Sequence, residues 1–258
     1  MELAGKIAVV TGPAKGMGAA ITLALAKEGA DLVLAGRDTD AIAPVEADVR
    51  AMGRRALTVG CDITSPDDVA ALKEKAEALG PVDILVNVAG GRGPIGKSGI
   101  ETTPEEFEAV IDLNVNGAFL LMRAFAEPMI ARRSGKIINI GGTFGLRGRA
   151  GRVSYSASKW GMRGLSKSFA LELGPHNINV NTVSPGMVEG PRFEAVCADM
   201  ALKLGISLED AKRRHAEDYA LRRISTDDDI ANAVIFLASE KSRQITGQDI
   251  VVDGGWVI

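Results

Sequence analysis

The stretch KIAVVTGPAKGMGAAITLALA, residues 6–26, decides the fold class of this chain. A short apolar run, predicted to be a buried strand, leads through Gly12, Gly16 and Gly18 into an apolar segment with helical spacing. Glycines at a strand-to-helix turn let the backbone approach a pyrophosphate, which the amino end of the helix attracts. The turn is therefore predicted to bind a nucleotide. Its glycine spacing departs from the standard GxGxxG pattern, and a plain tight turn is the alternative.

The same alternation of short apolar runs and helical segments continues to the end of the chain. It predicts an α/β fold, a doubly wound parallel sheet with helices on both faces. No repeat, linker or low-complexity tract interrupts it, so residues 1–258 are expected to form a single domain. The exception is residues 188–221, a helical stretch between two late strands. It is predicted to be a lid over the substrate, with a packed surface helix pair as the alternative.

Composition argues against several classes of partner. The formal net charge is −3 and the charges are scattered, so no nucleic-acid partner is expected. Cys61 and Cys197 are the only cysteines, which favours a reducing compartment. No targeting segment and no run of about 18 apolar residues is seen, so a cytoplasmic protein without a membrane partner is expected. His176 and His215, the only histidines, lack metal-ligand spacing, and no metal is predicted.

The stretch GRGPIGKS, residues 91–98, matches the spacing of a triphosphate-binding loop. Such a loop requires a helix that begins at its Lys and Ser, whereas here Gly99 follows directly. The next helix-start signals are an N-cap, a first-turn proline and a capping-box acid at Thr103, Pro104 and Glu106. The match is interpreted as coincidental, with an ATP- or GTP-binding protein as the alternative.

Tyr155 and Lys159 lie four positions apart in a predicted helix and therefore on one face. A nearby ammonium group favours the phenolate form of a tyrosine, which suits proton exchange with an alcohol. Taken alone, a Tyr and a Lys at this spacing are more often an exposed helix pair than a catalytic dyad.

Five short motifs occur in order along the chain: TGPAKGMG at 11–18, NVAG at 87–90, LNVNG at 113–117, YSASK at 155–159 and SPG at 184–186. Together they resemble the classical short-chain dehydrogenase/reductase family over essentially the whole chain. The resemblance implies a single Rossmann-type domain and hydride transfer between a nicotinamide and a secondary alcohol or ketone. With the apolar terminal segment 245–258, it also implies a homotetramer.

The resemblance assigns roles to particular residues. Tyr155 would be the general acid/base, Lys159 would bind the nicotinamide ribose and assist Tyr155, and Asn114 would hold a proton-relay water. Asp62 would lie near the adenine amino group. The residues expected at the cofactor are Gly12, Lys15, Gly16, Met17, Gly18, Arg37, Asp62, Ile63, Asn87, Ala89, Gly90, Tyr155, Lys159, Pro185, Gly186 and Val188.

One position departs from the family pattern. The catalytic serine of the family would fall 13 residues before Tyr155, where this chain has Gly142. Loss of one preorganised donor costs about 2.7 to 4 kcal/mol of transition-state stabilisation. The adjacent hydroxyl, Thr143, is predicted to take over this role. A catalytically impaired nucleotide-binding protein is the alternative.

The end of the second predicted strand bears on the choice of cofactor. The position where an acid would mark NAD is Gly36, and Arg37 follows it. Together with Lys15 in the glycine turn, Arg37 favours NADP(H). NAD(H) is the alternative, with Asp38 turned towards the ribose.

Arginines are concentrated where the substrate is expected, at positions 92, 147, 149, 152 and 192. Guanidinium groups bind carboxylate, sulfonate and phosphate, so a polar or anionic substrate is predicted. Sugars, polyols, and sulfonated or carboxylated alcohols fit this hypothesis, while 3-oxoacyl thioesters and steroids stay open. The expected substrate contacts are Arg92, Gly142, Thr143, Arg152 and Arg192, with solvent exposure or a subunit contact as the alternative for each arginine.

Overall fold

Seven parallel strands form one sheet through the centre of the protein, in the order β3-β2-β1-β4-β5-β6-β7. The computed structural model describes all 258 residues. The strands are β1 (Ile7–Thr11), β2 (Asp31–Gly36), β3 (Ala56–Gly60), β4 (Ile84–Asn87), β5 (Gly135–Ile140), β6 (Ile178–Pro185) and β7 (Asp249–Val252). The order of the strands reverses at β1, between β2 and β4. In sheets of this kind a ligand crevice opens at that point, beyond the carboxyl ends of the strands.

Helices cover both faces of the sheet, as the sequence predicts. They are α1 (Gly16–Lys27), α2 (Thr39–Ala51), α3 (Pro66–Leu79), α4 (Pro104–Ile111), α5 (Gly117–Arg132), α6 (Val153–Leu173), α7 (Pro191–Leu204), α8 (Leu208–Ala216) and α9 (Asp227–Ala238). In β1, Ala8 and Val10 join the core beneath α1 and α9, while Ile7 and Val9 join the core beneath α3 and α5. Because successive side chains of a strand point to opposite faces, the apolar run is buried on both sides.

A π-helical segment, Asp112–Asn116, joins α4 to α5. The resulting helix, Pro104–Arg132, is long and apolar enough by length and composition to cross a membrane, which the sequence had not indicated. Its apolar side chains are instead fully buried in the core beneath the sheet at Leu121, Met122, Phe125 and Met129. It therefore packs as a core helix.

Residues 188–221 hold α7 and α8, which follow the carboxyl end of β6. A small apolar cluster, separate from the two large cores, is formed by Phe193, Cys197, Ala211, Tyr219 and Ile224. These helices therefore have a small core of their own beside the crevice.

Candidate active site

The glycine turn after β1 has the geometry expected of a phosphate-binding loop. Gly12 has φ 67° and donates its N–H to the Ala35 carbonyl at 2.9 Å. A Cβ on Gly12 would lie 3.1 Å from the Ala89 backbone, and one on Gly18 would lie 2.0 Å from the Gly12 oxygen. No side chain caps α1, so its first N–H groups are open to an anion. The cradle therefore fits the pyrophosphate of a dinucleotide.

The carboxyl end of β2 carries the residues predicted to select the cofactor. Arg37 and Lys15 are both exposed. Asp38 caps α2 by accepting the Ala41 N–H at 3.0 Å. Asp62 accepts the Thr64 N–H and hydroxyl at 3.0 and 2.8 Å, which hold the pKa of Asp62 low, aided by the charge of Arg37. Asp62 and Arg37 therefore lie at the same end of the crevice.

The segment after β4 is held in place by a residue that the sequence had not singled out. The Thr11 hydroxyl accepts the N–H groups of Val88 and Ala89, both at 3.1 Å. Asn87 is buried, and its Nδ2 donates to Asn139 Oδ1 at 2.7 Å, while its own Oδ1 has no partner. The side chain of Asn87 thus lies in the sheet, between β4 and β5.

Asn114 connects this segment to α6. From the π-helical segment it accepts the Gly91 N–H at 2.7 Å and donates to the Gly91 carbonyl and to Ser158 Oγ, both at 2.9 Å. Ser158 in turn donates to the Tyr155 carbonyl at 2.8 Å. The predicted residue Asn114 and the unpredicted Ser158 therefore fix the start of α6 against the crevice. Beneath them, Ile63 is buried, and a Cβ on Gly117 would lie 2.8 Å from it.

Tyr155 and Lys159 lie one turn apart on α6 and face the carboxyl end of β5. Lys159 is buried and donates its Nζ to the Ile140 carbonyl at 3.0 Å. The same Nζ lies 5.5 Å from the centroid of the Tyr155 ring. The ammonium group has no acidic partner, so its charge is directed at the tyrosine and the crevice.

Gly142 lies where a side chain would meet Tyr155. A Cβ on Gly142 would be 3.5 Å from the Tyr155 hydroxyl, in ordinary van der Waals contact. Thr143 begins the adjoining 3-10 turn, is buried, and its hydroxyl makes no hydrogen bond within the chain. The structure thus brings Thr143 to the wall of the cavity that Tyr155 also lines.

This cavity has a volume of about 190 Å³ and lies between α6, the end of β6, the helices α7 and α8, and the carboxyl terminus. It is lined by Gly142, Thr143, Phe144, Arg149, Tyr155, Pro185, Gly186, Met187, Arg192, Val196, Met200, His215, Asp218, Tyr219 and Trp256. His215 and Tyr219 lie within residues 188–221, the stretch predicted to cover the substrate, whereas Trp256 comes from a segment without a site motif. Val188 pairs with Ser225 as an isolated parallel bridge beside it.

The arginines predicted at the substrate gather around Tyr155. Arg149 and Arg192 line the cavity, and the Arg152 guanidinium lies 4.7 Å from the centroid of the Tyr155 ring. The positive charge of Arg92 contributes to lowering the pKa of both Arg152 and Arg192. Arg147 stacks over Trp256 at 4.8 Å. A strongly positive surface therefore adjoins the reacting end of the crevice.

The loop 91–98 does not precede a helix in the manner of a triphosphate site. The predicted helix start is confirmed: Thr103 and Glu106 form a capping box, and Pro104 opens α4. Lys97 bonds both carboxylate oxygens of Glu106, at 2.7 and 2.6 Å. Elsewhere, no group of three or more His, Cys, Asp or Glu side chains is placed to hold a metal ion.

Known proteins show the same organisation over the whole chain. The family model described as enoyl-(acyl carrier protein) reductase matches residues 12–257. Galactitol 2-dehydrogenase of Agrobacterium fabrum is 38% identical over 99% of this chain and 98% of its own length. A 3-oxoacyl-[acyl-carrier-protein] reductase of Staphylococcus epidermidis is 37% identical over 97% of this chain and 98% of its own length.

Solved structures agree with these sequence matches. The crystal structure of NAD+-bound xylitol dehydrogenase superposes with a TM-score of 0.90 at 28% identity, covering 99% of this chain and 100% of that one. With the five motifs in order and the Tyr155–Lys159 pair at the crevice, the chain belongs to the classical short-chain dehydrogenase/reductase family and is an NAD(P)-dependent oxidoreductase acting on CH–OH groups.

Proposed function

We propose that the enzyme interconverts a small polar secondary alcohol and its ketone, with Tyr155 as the general acid/base. The observation that carries this proposal is the shared cavity of Tyr155 and Thr143 at the end of the glycine-lined crevice. A bound nicotinamide would supply the hydride acceptor for oxidation of the alcohol and the hydride donor for reduction of the ketone. Tyr155 takes the hydroxyl proton in oxidation and returns it in reduction.

The neighbouring residues support this role for Tyr155. The Lys159 ammonium, fixed by the Ile140 carbonyl, stabilises the phenolate that forms when the proton is lost. Asn114 holds the loop after β4 against α6 and, in this proposal, positions the water that relays the proton. Thr143 donates a hydrogen bond to the substrate oxygen in place of the family's serine.

Replacing the phenol tests the proposal. Tyr155→Phe is expected to lower kcat by at least about 100-fold, since general acid/base groups contribute 10² to 10⁴. NADPH binding, followed by fluorescence, is expected to be unchanged. Tyr219→Phe removes the other phenol of the same cavity, which stays neutral because burial raises the pKa of Tyr219 to about 12, and it is expected to lower kcat much less than Tyr155→Phe. If Tyr155→Phe turned over its alcohol at the normal rate, the proposal would be wrong. If the unaltered protein bound NADPH but turned over no alcohol or ketone, the catalytically impaired alternative would hold.

The preferred cofactor in this proposal is NADP(H). Arg37 and Lys15 are exposed at the adenosine end, and Asp38 is engaged as a helix cap. The similarity to a xylitol dehydrogenase that binds NAD+ supports the NAD(H) alternative. The ratio of kcat/KM for NADPH and NADH, measured before and after Arg37→Gln, decides between them. A ratio that favours NADPH and falls in the variant supports the phosphate contact.

A second candidate is reduction of 3-oxoacyl thioesters. It is supported by the 37% identity to a 3-oxoacyl reductase and by apolar side chains of the cavity wall at Phe144, Met187, Val196 and Met200. The small cavity favours a short polar molecule instead, because pockets for drug-sized ligands usually measure about 300 to 1,000 Å³. Reduction of acetoacetyl-CoA at a kcat/KM above that of every polyol and hydroxy acid would favour the thioester.

The lid, the oligomeric state, the compartment and the expected partners belong to the same proposal. Residues 188–221 close over the bound substrate as a lid. The enzyme is a cytoplasmic homotetramer without nucleic-acid or membrane partners, and the exposed side chains of Val251 on the edge strand β7 and of Ile258 contribute to contacts between copies. Light scattering at micromolar concentration tests the number of copies.

A further inference from the structure

Four arginines around the cavity have no acidic partner and no side-chain hydrogen bond in the chain. Arg92, Arg149, Arg152 and Arg192 form no salt bridge and donate no hydrogen bond, whereas Arg55, Arg163 and Arg213 each bond an aspartate. Burial, followed by the charge of Arg192, lowers the pKa of Arg152, and Arg149 and Arg92 add to this effect. Burial and the charges of Arg92 and Arg149 also lower the pKa of Arg192. The neighbouring guanidinium charges are therefore unfavourable for Arg152 and Arg192, and none of the four arginines forms a salt bridge with a carboxylate.

Arg152 has the most unfavourable surroundings of the four. It is 5% exposed, and its Nε and Nη2 atoms are buried without any partner. It lies 4.7 Å from the ring centroid of Tyr155 and 6.0 Å from that of Phe144, two side chains that line the cavity. A buried charge without a hydrogen-bond or acidic partner is strongly unfavourable. An anion bound beside Tyr155 would offset this cost.

Arg192 lies in the first turn of α7, where the helix dipole makes a cation unfavourable. The N-cap of this 14-residue helix is Gly190, and no side chain caps its free N–H groups. The guanidinium of Arg192, which has no partner within the helix, is therefore free to bind an anion. Because Arg192 lines the cavity, that anion would lie in the same space as the substrate.

The remaining ionisable side chains of the cavity do not neutralise this charge. Among the lining residues there is one carboxylate, Asp218, and there are two guanidinium groups, those of Arg149 and Arg192. Burial lowers the pKa of His215, which favours its neutral form. With Arg152 and Arg92 beyond the wall, the cavity has an excess of positive charge. These four arginines lie near Tyr155, whereas the phosphates of the cofactor are expected at the glycine turn and at Arg37.

We propose that the alcohol or ketone substrate carries a carboxylate, sulfonate or phosphate group, bound by Arg192 and Arg149 with Arg152 behind them, a few bonds from the reacting carbon. The proposal rests on the proposed function, because it places the reacting carbon at Tyr155. The volume of the cavity, about 190 Å³, suits a short chain. The shared chemistry is an anionic group that accepts hydrogen bonds from a planar guanidinium fork.

The first experiment compares charged substrates with neutral ones. Short 2- and 3-hydroxy acids, hydroxyalkanesulfonates and hydroxyalkyl phosphates are assayed with NADP+ and NAD+ beside the amides of the acids and C4 to C6 polyols. At least one anionic series is expected to exceed its neutral counterparts by about 100-fold or more in kcat/KM, because the arginines lose their partner in a neutral analogue. The series that does so identifies the anionic group.

Arg192→Met is expected to raise KM for that anion by at least about 10-fold more than it raises KM for a neutral alcohol. Arg213→Met is the matched control, since Arg213 lies on α8, is exposed, and pairs with Asp210. Neutral substrates used as well as anions, or an equal effect of Arg192→Met on both, would overturn the anionic substrate. Neutral turnover that Tyr155→Phe abolishes would leave the proposed function intact.

A binding measurement covers the case in which no compound of the panel is turned over. Malonate and malonamide are titrated by calorimetry into the protein saturated with NADPH. Malonate is expected to bind at least about 10-fold more tightly than malonamide, and Arg192→Met is expected to remove the difference. Equal binding of the two compounds, or binding of neither, would overturn the proposal.

Discussion

Gly142 adjoins the reacting hydroxyl of Tyr155, yet its backbone suits no other residue type. Its φ of 155° and ψ of 153° fall in a region that is essentially restricted to glycine, where other residues incur about 1 to 3 kcal/mol of strain. A Cβ there would still have space, since the nearest atom, the Tyr155 hydroxyl, would be 3.5 Å away. The absence of serine is therefore tied to the backbone conformation, and in our proposal the donor comes from a neighbour.

Thr143 is the neighbour that we expect to supply this donor. Thr143→Val removes the hydroxyl at nearly constant shape and is expected to lower kcat by about 100-fold, the effect of losing one preorganised donor. Thr143→Ser keeps the hydroxyl and is expected to stay within a few-fold of the unaltered enzyme. Steady-state kinetics on one alcohol, with both cofactors, measures the effect. Equal rates for the valine and serine variants would show that the hydroxyl has no role.

Some site residues could be predicted from the sequence because their spacing is local. Tyr155 and Lys159 are one helical turn apart, so the helix period alone brings them together. Thr11 and Trp256 could not be predicted in this way. Thr11 acts on residues 77 and 78 positions away, and Trp256 reaches the cavity from the carboxyl terminus. Such contacts depend on tertiary packing, which no local pattern encodes.

At the scale of elements, the apolar runs predicted the strands because a parallel sheet buries both faces of each strand. The π-helical segment Asp112–Asn116 was not predicted, since its residues continue the apolar helical pattern on either side. Its position is nevertheless functional in our proposal, because it directs Asn114 towards Gly91 and Ser158. A widened turn in a long helix thus provides a polar contact inside an otherwise apolar element.

The lid helices are expected to open independently of the sheet, because their cluster is small and separate. Phe193 packs edge-on to His215 at 5.4 Å and so connects α7 to α8. Phe193→Ala is expected to cost about 3 to 5 kcal/mol within this cluster. Hydrogen exchange in residues 191–216 should become faster, while the sheet amides keep their protection. Leu202→Ala, at an 85% exposed position of the same helix, is the control. Equal loss of protection in the sheet would mean that these helices are not a separate unit.

At the scale of the whole molecule, the buried apolar residues form two large cores at the sheet and one small cluster at α7 and α8. Each large core contains 22 buried residues from one face of the sheet, whereas the apolar cluster that includes Phe193 and Cys197 contains only five. Because local stability follows the amount of buried apolar surface, the lid should open at a lower free energy than the sheet. The two cysteines lie on opposite sides of this division, Cys61 in a large core and Cys197 in the lid cluster.

Alkylation of the two thiols should therefore report two different openings. Burial, with the charges of Asp68 and Asp62, raises the pKa of Cys61 to about 11, so at pH 8 only about one in a thousand of these thiols is ionised. Burial also raises the pKa of Cys197. Iodoacetamide in increasing urea, read by peptide mass spectrometry, is expected to label Cys197 first, through lid opening, and Cys61 only with global unfolding. Phe193→Ala should speed labelling of Cys197 alone. Labelling of both thiols along one urea transition would show instead that the lid and the sheet unfold together, because a separate lid must expose Cys197 while Cys61 stays buried.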